Sequence, residues 1–179
     1  MRFRFIEGPN GEVDWCRVES ETGNDPGAES HFDRILSDID TIFYGRASYD
    51  AWGTDQPKKD ASPFERKLWD RVHSKTKYVF SRNPNPASKA TFVTHNIAGH
   101  VNELKRQSGK NIWLYGGSGL ITTFVNLDLI DVYLLAVYPV ILGTGKPLFA
   151  GIQRRVGLKL RNAKTSASGV ILLDYSRIT

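Results

Sequence analysis

The stretch Asn111-Ile-Trp-Leu-Tyr-Gly-Gly-Ser-Gly119, followed at once by Leu-Ile-Thr-Thr-Phe-Val, constrains the fold of this chain more than any other segment. An apolar run rich in strand formers ends in glycines and a serine, then gives way to a helix-like apolar pattern. A strand, a glycine turn and a helix in succession leave backbone N–H groups at the helix N-terminus, where the macrodipole favours an anion. Gly116, Gly117 and Gly119 have no Cβ, so a phosphate can lie close against the backbone. Two readings stand side by side here: a phosphate cradle, and a tight turn that needs glycine for its dihedral angles.

Upstream, strand and helix signals alternate. Asp40–Gly45 reads as a short buried strand, preceded by a helix with Phe32, Ile35, Leu36 and Ile39 on one face, Ser30 as N-cap and Asp33 in its first turn. Ser62-Pro63-Phe64-Glu65 is a capping box with proline at the first helical position, and the helix it opens carries Phe64, Leu68 and Val72 on one side. Thr76–Phe80 and Thr91–Thr94 read as strands; Ile97, Val101 and Leu104 mark a helix that Gly109 can end. Later, Val132 to Leu142 reads as one long buried strand with a bulge or edge at Pro139, Val156, Leu158 and Leu160 alternate as an antiparallel strand, and Gly169–Tyr175 closes the chain. Alternation early and consecutive strands late predict a three-layer α/β/α domain over residues 1–179, with a mixed, mainly parallel sheet and antiparallel C-terminal strands. Polar stretches Thr54–Ala61 and Glu19–Ala28 read as loops.

Composition narrows the function. The 179 residues carry a formal charge of +5, but lysine and arginine are interleaved with acids, and the clustered stripe with aromatic platforms that nucleic acid requires is missing. No apolar run is long enough to span a membrane, and no leader-like segment opens the sequence. One cysteine, Cys16, excludes an internal disulfide framework and a cysteine zinc site, and the four histidines show no ligand spacing, so neither metal nor nucleic-acid binding is expected. The expected compartment is the cytoplasm.

Two more junctions repeat the glycine-turn logic. Gly45-Arg46-Ala47-Ser48 follows the Asp40 strand and Ser81-Arg82-Asn83 follows the Thr76 strand, so three successive strand ends carry phosphate-compatible groups. One pyrophosphate plus a ribose phosphate needs about that many contacts, and nucleotide binding becomes the leading reading. It is neither the G-x-G-x-x-G fingerprint, whose third glycine is absent after Gly117, nor a P-loop, because Gly143-Thr-Gly-Lys-Pro147 is too short and ends in proline.

Taken in order, Gly45-Arg-Ala-Ser-Tyr49, Phe80-Ser-Arg-Asn83 and Tyr115-Gly-Gly-Ser-Gly119 resemble the dihydrofolate reductase fold. Tyr133–Leu142 with Gly143-Thr-Gly-Lys-Pro-Leu-Phe149 resembles one branch of it, the reductase domain of bifunctional riboflavin-biosynthesis enzymes and its stand-alone relatives. The resemblance implies an NADPH-dependent reductase, often a homodimer. It implies that Gly45, Arg46 and Ser48 contact cofactor phosphates, that Ser81 and Arg82 receive the 2′-phosphate, and that Gly116, Gly117, Ser118 and Gly119 hold the pyrophosphate. Family members begin with a strand ending in a Ser-Leu-Asp-Gly-like segment; this chain starts at Met1-Arg-Phe-Arg, so the first strand is expected to be shortened.

Hydride transfer also requires a proton for the product. The folate enzyme keeps an acid near the helix before Gly45, which implies Glu29 or Asp33; Asp14 is the other candidate. The His-x-Glu and Pro-Cys-x-x-Cys pattern of a deaminase partner is absent. That argues against a complete bifunctional riboflavin enzyme, and the resemblance implies a small heterocyclic or carbonyl substrate, a pyrimidine ribosylamine or a pteridine-like compound. The alternative is a non-catalytic nucleotide-binding module of the same fold.

Overall fold

A computed structural model describes residues 5–16 and 34–178. In chain order its elements are β1 (Phe5–Glu7), β2 (Ile39–Gly45), α1 (Arg46–Ser48, continued by a π-turn over Tyr49–Gly53), α2 (Pro63–His73), β3 (Thr76–Phe80), β4 (Thr91–Val93), α3 (Ile97–Arg106), β5 (Asn111–Gly116), α4 (Ser118–Asn126), β6 (Val132–Val137), β7 (Lys146–Pro147), β8 (Leu158–Thr165) and β9 (Ile171–Arg177). They fall into two compact units, one of Phe32–Ile121 and the other of Met1–His31 with Thr122–Thr179.

The first unit is a parallel sheet of order β4-β3-β2-β5. Its register places Gly45 beside Phe80 and Tyr44 beside Gly116, so these strands end at one level. One face buries Ile42, Tyr44 and Val79 against Leu36, Tyr49 and Val72, with Leu68, Trp69, Phe92, Trp113 and Tyr115 packed around them. Fully burying each such aliphatic side chain contributes roughly 1.5–3 kcal/mol. On the other face, Phe43 meets Tyr78 and Phe80 edge to face at 5.7 and 5.0 Å between centroids.

The capping box forms as the sequence predicts: Glu65 N donates to Ser62 Oγ at 3.2 Å and Ser62 N to Glu65 Oε2 at 2.9 Å. The predicted loop 54–61 is tied to α2. Arg66 donates to the carbonyls of Ala61 and Lys59, and His73 Nε2 lies 2.8 Å from the Asp55 carbonyl. Residues 34–38 are helical, so Leu36 keeps its predicted place, whereas Ile39 is already the first residue of β2. Gly109 does not end α3: the helix stops at Arg106, with Gln107 extended. Gly109 instead lets Asp40 close on the chain, since a Cβ there would sit 2.8 Å from Asp40 Oδ2.

The second unit contains an antiparallel sheet of order β6-β9-β8 and the β1–β7 pair. The long strand expected through Leu142 ends at Val137. Pro139 has no N–H for a ladder, and Val140 N folds back to the Tyr138 carbonyl at 2.8 Å. Asp128, at φ 63°, is flanked by Arg177 and by Arg154 at 2.9 Å. No helix among the described residues is long and apolar enough to cross a membrane.

Candidate functional site

Because β2, β3 and β5 run parallel and in register, their three following junctions emerge on one edge of the sheet. Every cofactor residue expected from the sequence lies there: Gly45, Arg46 and Ser48 after β2, Ser81 and Arg82 after β3, and Gly116, Gly117, Ser118 and Gly119 after β5. The carboxyl edge of a parallel sheet is where open α/β folds take ligands.

The two glycine junctions touch. A Cβ on Gly45 would stand 3.5 Å from both Gly116 O and Gly117 N, and one on Gly117 would stand 3.3 Å from Ser48 Oγ. The Ser48 hydroxyl makes no hydrogen bond among the described residues, so it faces the bare Gly117 backbone as an uncommitted donor. Gly116 has φ +115°, which a side chain tolerates poorly; the Gly116–Gly117 peptide is cis. The first bond of α4 runs from Ile121 N to Gly117 O at 3.0 Å, which puts the preceding N–H groups at the helix's N-terminal end. A Cβ on Gly119 would meet nothing within 4 Å. The junction is bare backbone next to a helix N-terminus, a geometry that both readings of the glycine turn share.

The two arginines differ. Arg46 is committed internally, Nε to Asp50 Oδ2 at 2.6 Å and a terminal nitrogen to the Asn83 carbonyl at 3.1 Å, with its guanidinium 5.9 Å from the Phe92 ring centroid. It bridges the ends of β2 and β3. Arg82 is exposed and has no partner among the described residues. Ser81 shapes the turn beneath it: its hydroxyl accepts from Asn83 N and its N–H donates to the Val93 carbonyl, both at 3.2 Å.

Beside the glycine edge runs an aromatic series. Trp52 and Trp69 stack at 5.8 Å and 24°, Trp69 stacks on His73 at 5.5 Å, and Trp52 lies 6.3 Å from Tyr115, the residue just before Gly116. Trp52 is 42% exposed, a planar surface next to the turn. Trp15 belongs to the other unit and packs edge-on to Tyr138. Burial pushes the Tyr44 phenol far above its ordinary value and lowers that of Lys77, whose ammonium donates to the Gly53 carbonyl and to His73 Nδ1, each at 2.8 Å. His73 thereby accepts on Nδ1 and donates from Nε2 to Asp55, which holds the start of the 54–61 loop.

Of the acids considered as proton donors, Glu29 and Asp33 lie outside the described residues, as do Ser30 and the Glu19–Ala28 loop. Asp14 is exposed in a single 3-10 turn of the other unit. The pattern reading missed Asp50 and the Asn83 carbonyl as anchors of Arg46, and it did not assign the fourth strand end. There Thr94-His95-Asn96 follows β4, a polar triplet between a strand and a helix that could have been read as the other three were.

Comparisons with known proteins cover the chain almost end to end. The family model described as the RibD C-terminal domain matches residues 5–172. The uncharacterized protein YyaP of Bacillus subtilis (strain 168) is 49% identical over 172 residues, covering 96% of this chain and 87% of that protein. A structure from Shewanella sp. PV-4, provisionally assigned to riboflavin biosynthesis, has a TM-score of 0.76 at 20% identity, covering 98% of this chain and 93% of the other. The diaminohydroxyphosphoribosylaminopyrimidine deaminase/5-amino-6-(5-phosphoribosylamino)uracil reductase of Thermotoga maritima has a TM-score of 0.64 at 14% identity, and the match covers 97% of this chain but 53% of that larger one.

Proposed function

The chain belongs to the RibD C-terminal domain family, with its dihydrofolate-reductase-like α/β fold, and we propose that it is an NADPH-dependent reductase. It transfers a hydride to a small heterocyclic or carbonyl substrate of the pyrimidine ribosylamine or pteridine kind. In this reading residues 1–179 form one domain, working as a cytoplasmic homodimer that covers the exposed Val132 and Leu134 of β6.

The observation that carries the reading is the register that brings Gly45–Ser48, Ser81–Arg82 and Gly116–Gly119 to one sheet edge. When bound, the cofactor supplies the hydride. The chain's residues do the rest. The α4 N-terminus and the bare Gly117 and Gly119 backbone receive the pyrophosphate, Ser48 donates to it from across the turn, and Ser81 and Arg82 hold the 2′-phosphate. Arg46 keeps the β2 and β3 ends at a fixed spacing and presents positive charge behind them. Trp52 and Tyr115 offer a flat apolar wall to a ring, and the proton is assigned to Glu29, Asp33 or Asp14.

The test is a calorimetric titration with NADPH and NADH side by side at one salt concentration. NADPH oxidation is then followed at 340 nm with pyrimidine and pteridine substrates. Tight NADPH, weak NADH and turnover support the reading. Binding of neither cofactor sinks it, and binding without turnover on any substrate points to a nucleotide-binding module.

A further inference from the structure

Trp52 is an exposed ring on a backbone built to keep it still. Residues Tyr49–Gly53 form a π-turn, a wide helical turn often found at functional sites. Its first residue is pinned: the Tyr49 ring is buried and its hydroxyl lies 2.8 Å from Ser88 Oγ. Its last residue is pinned too, because the Lys77 ammonium donates to the Gly53 carbonyl at 2.8 Å, and Thr54 N closes the turn on the Tyr49 carbonyl at 3.2 Å. Between these anchors Trp52 stacks on Trp69 of α2, and Trp69 stacks on His73 one helical turn further on. The successive rings lie 5.8 and 5.5 Å apart and within 24° and 21° of parallel. At one end of this stack His73 is engaged through both ring nitrogens, by Lys77 and by the Asp55 carbonyl. At the other end Trp52 remains 42% exposed.

A stack of planar rings that ends in an exposed indole can take one more planar ring. Its position says where that ring would lie: Tyr115 is 6.3 Å from Trp52 and leads directly into Gly116, so the indole borders the glycine turn at the carboxyl edge of the sheet. Its shape says which ring fits. Indole is a fused pair of rings with a negative π face, and stacking gains with the apolar area overlapped. A fused two-ring heterocycle covers both rings of the indole, whereas a lone pyrimidine covers only one. We propose that Trp52 is the platform for the ring of the substrate, and that this substrate is a fused, pteridine-like heterocycle rather than a monocyclic pyrimidine ribosylamine. The word substrate rests on the reductase reading above; ring binding at Trp52 is measured independently of it.

The experiment is equilibrium dialysis of the full chain against two matched pairs: pterin with isocytosine, its pyrimidine half, and lumazine with uracil, related in the same way. Each is measured with and without saturating NADPH, for the wild type, Trp52→Leu and Trp52→Phe, and NADPH itself is titrated by calorimetry. Unfolding midpoints check that these substitutions of an exposed side chain leave the fold intact. The fused member of each pair is expected to bind the wild type at least about ten-fold more tightly than its single-ring half. Trp52→Leu, which keeps apolar bulk but loses the flat face, is expected to weaken the fused rings about five- to a hundred-fold and NADPH less than about two-fold. Trp52→Phe is expected to recover most of that loss, which a purely packing role for the indole would not give. Equal affinity for fused and single rings overturns the proposal, as does pterin binding that Trp52→Leu leaves unmoved. A loss in Trp52→Leu that is as large for NADPH gives the indole to the cofactor and overturns it too. If NADPH binds but neither pterin nor lumazine does, the platform falls and the reductase reading stands. If both bind at Trp52 in a chain that takes no NADPH, the reductase reading falls and the ring site stands.

Discussion

Arg46 and Asp50 are joined one helical turn apart, Nε to Oδ2 at 2.6 Å, and the same guanidinium reaches over to the Asn83 carbonyl at 3.1 Å. The arginine that the sequence offered as a phosphate ligand is thus already a brace between two strand ends. Arg82, just past the end of the next strand, is exposed and has no partner among the described residues. The two should respond differently to truncation.

Arg46→Ala removes an exposed ion pair, and exposed pairs of this kind contribute only about 0–1 kcal/mol, so the unfolding midpoint should move little. What is lost is the spacing of the β2 and β3 ends, which any dinucleotide requires. NADPH and NADH should weaken by similar factors. A loss confined to NADPH would show that Arg46 swings out to bind the 2′-phosphate itself.

Arg82→Ala should weaken NADPH by about 1.5–3 kcal/mol and leave NADH nearly untouched, because a charge-assisted contact to the 2′-phosphate disappears. Side-by-side calorimetry reads this directly. Equal losses for both cofactors would move the 2′-phosphate away from the end of β3.

Gly116 and Gly119 separate folding from binding. At Gly116, φ +115° and an Ile121 Cδ1 3.1 Å from a built Cβ make Gly116→Ala strained, and it should destabilise by about 1–3 kcal/mol. Gly119 lies in helical α4 with open space around it. There alanine should leave the unfolding free energy unchanged or raise it by up to about 1 kcal/mol. Gly119→Ala should nonetheless weaken both cofactors, since its methyl stands where the pyrophosphate is assigned. Unchanged affinity in a well-folded Gly119→Ala would remove the pyrophosphate from this turn.

What the sequence disclosed and what it hid follow from the range of the forces involved. The Ser62–Glu65 capping box and the Thr76–Phe80 strand rest on neighbours in sequence, and both appear as read. The glycine junctions were legible because a backbone that must turn sharply and stay bare has few residue choices. Pro139 was noticed, yet the strand was carried past it; a missing ladder donor ends pairing there because no bulge restores it. Nothing local could show that Arg46 would meet a carbonyl 37 residues away, or that Trp52, Trp69 and Tyr115 would form one aromatic series from three elements. Those relations exist only once parallel pairing fixes the register.

Asp40 supplies the pH-dependent prediction. Its carboxylate accepts from Lys110 N at 2.7 Å and from Thr41 Oγ1 at 2.8 Å, tying the start of β2 to the approach to β5. These bonds, the one from the Lys110 backbone first, hold its carboxyl below the ordinary value of 3.8, against a smaller opposing effect of burial. A depressed carboxyl stabilises the fold at pH values above 3.8, and that stabilisation is lost as pH falls through the lower folded value. Asp40→Asn retains an acceptor oxygen but not the charge, so it should be less stable than the wild type at pH 6 and should approach it as the medium is acidified below pH 4. Urea unfolding of both proteins from pH 3 to 7 measures the difference while the remaining acids cancel. A difference that stayed constant down to pH 3 would mean that the Asp40–Lys110 bond depends on shape alone and that the charge adds nothing to the β2–β5 pairing beneath the glycine edge.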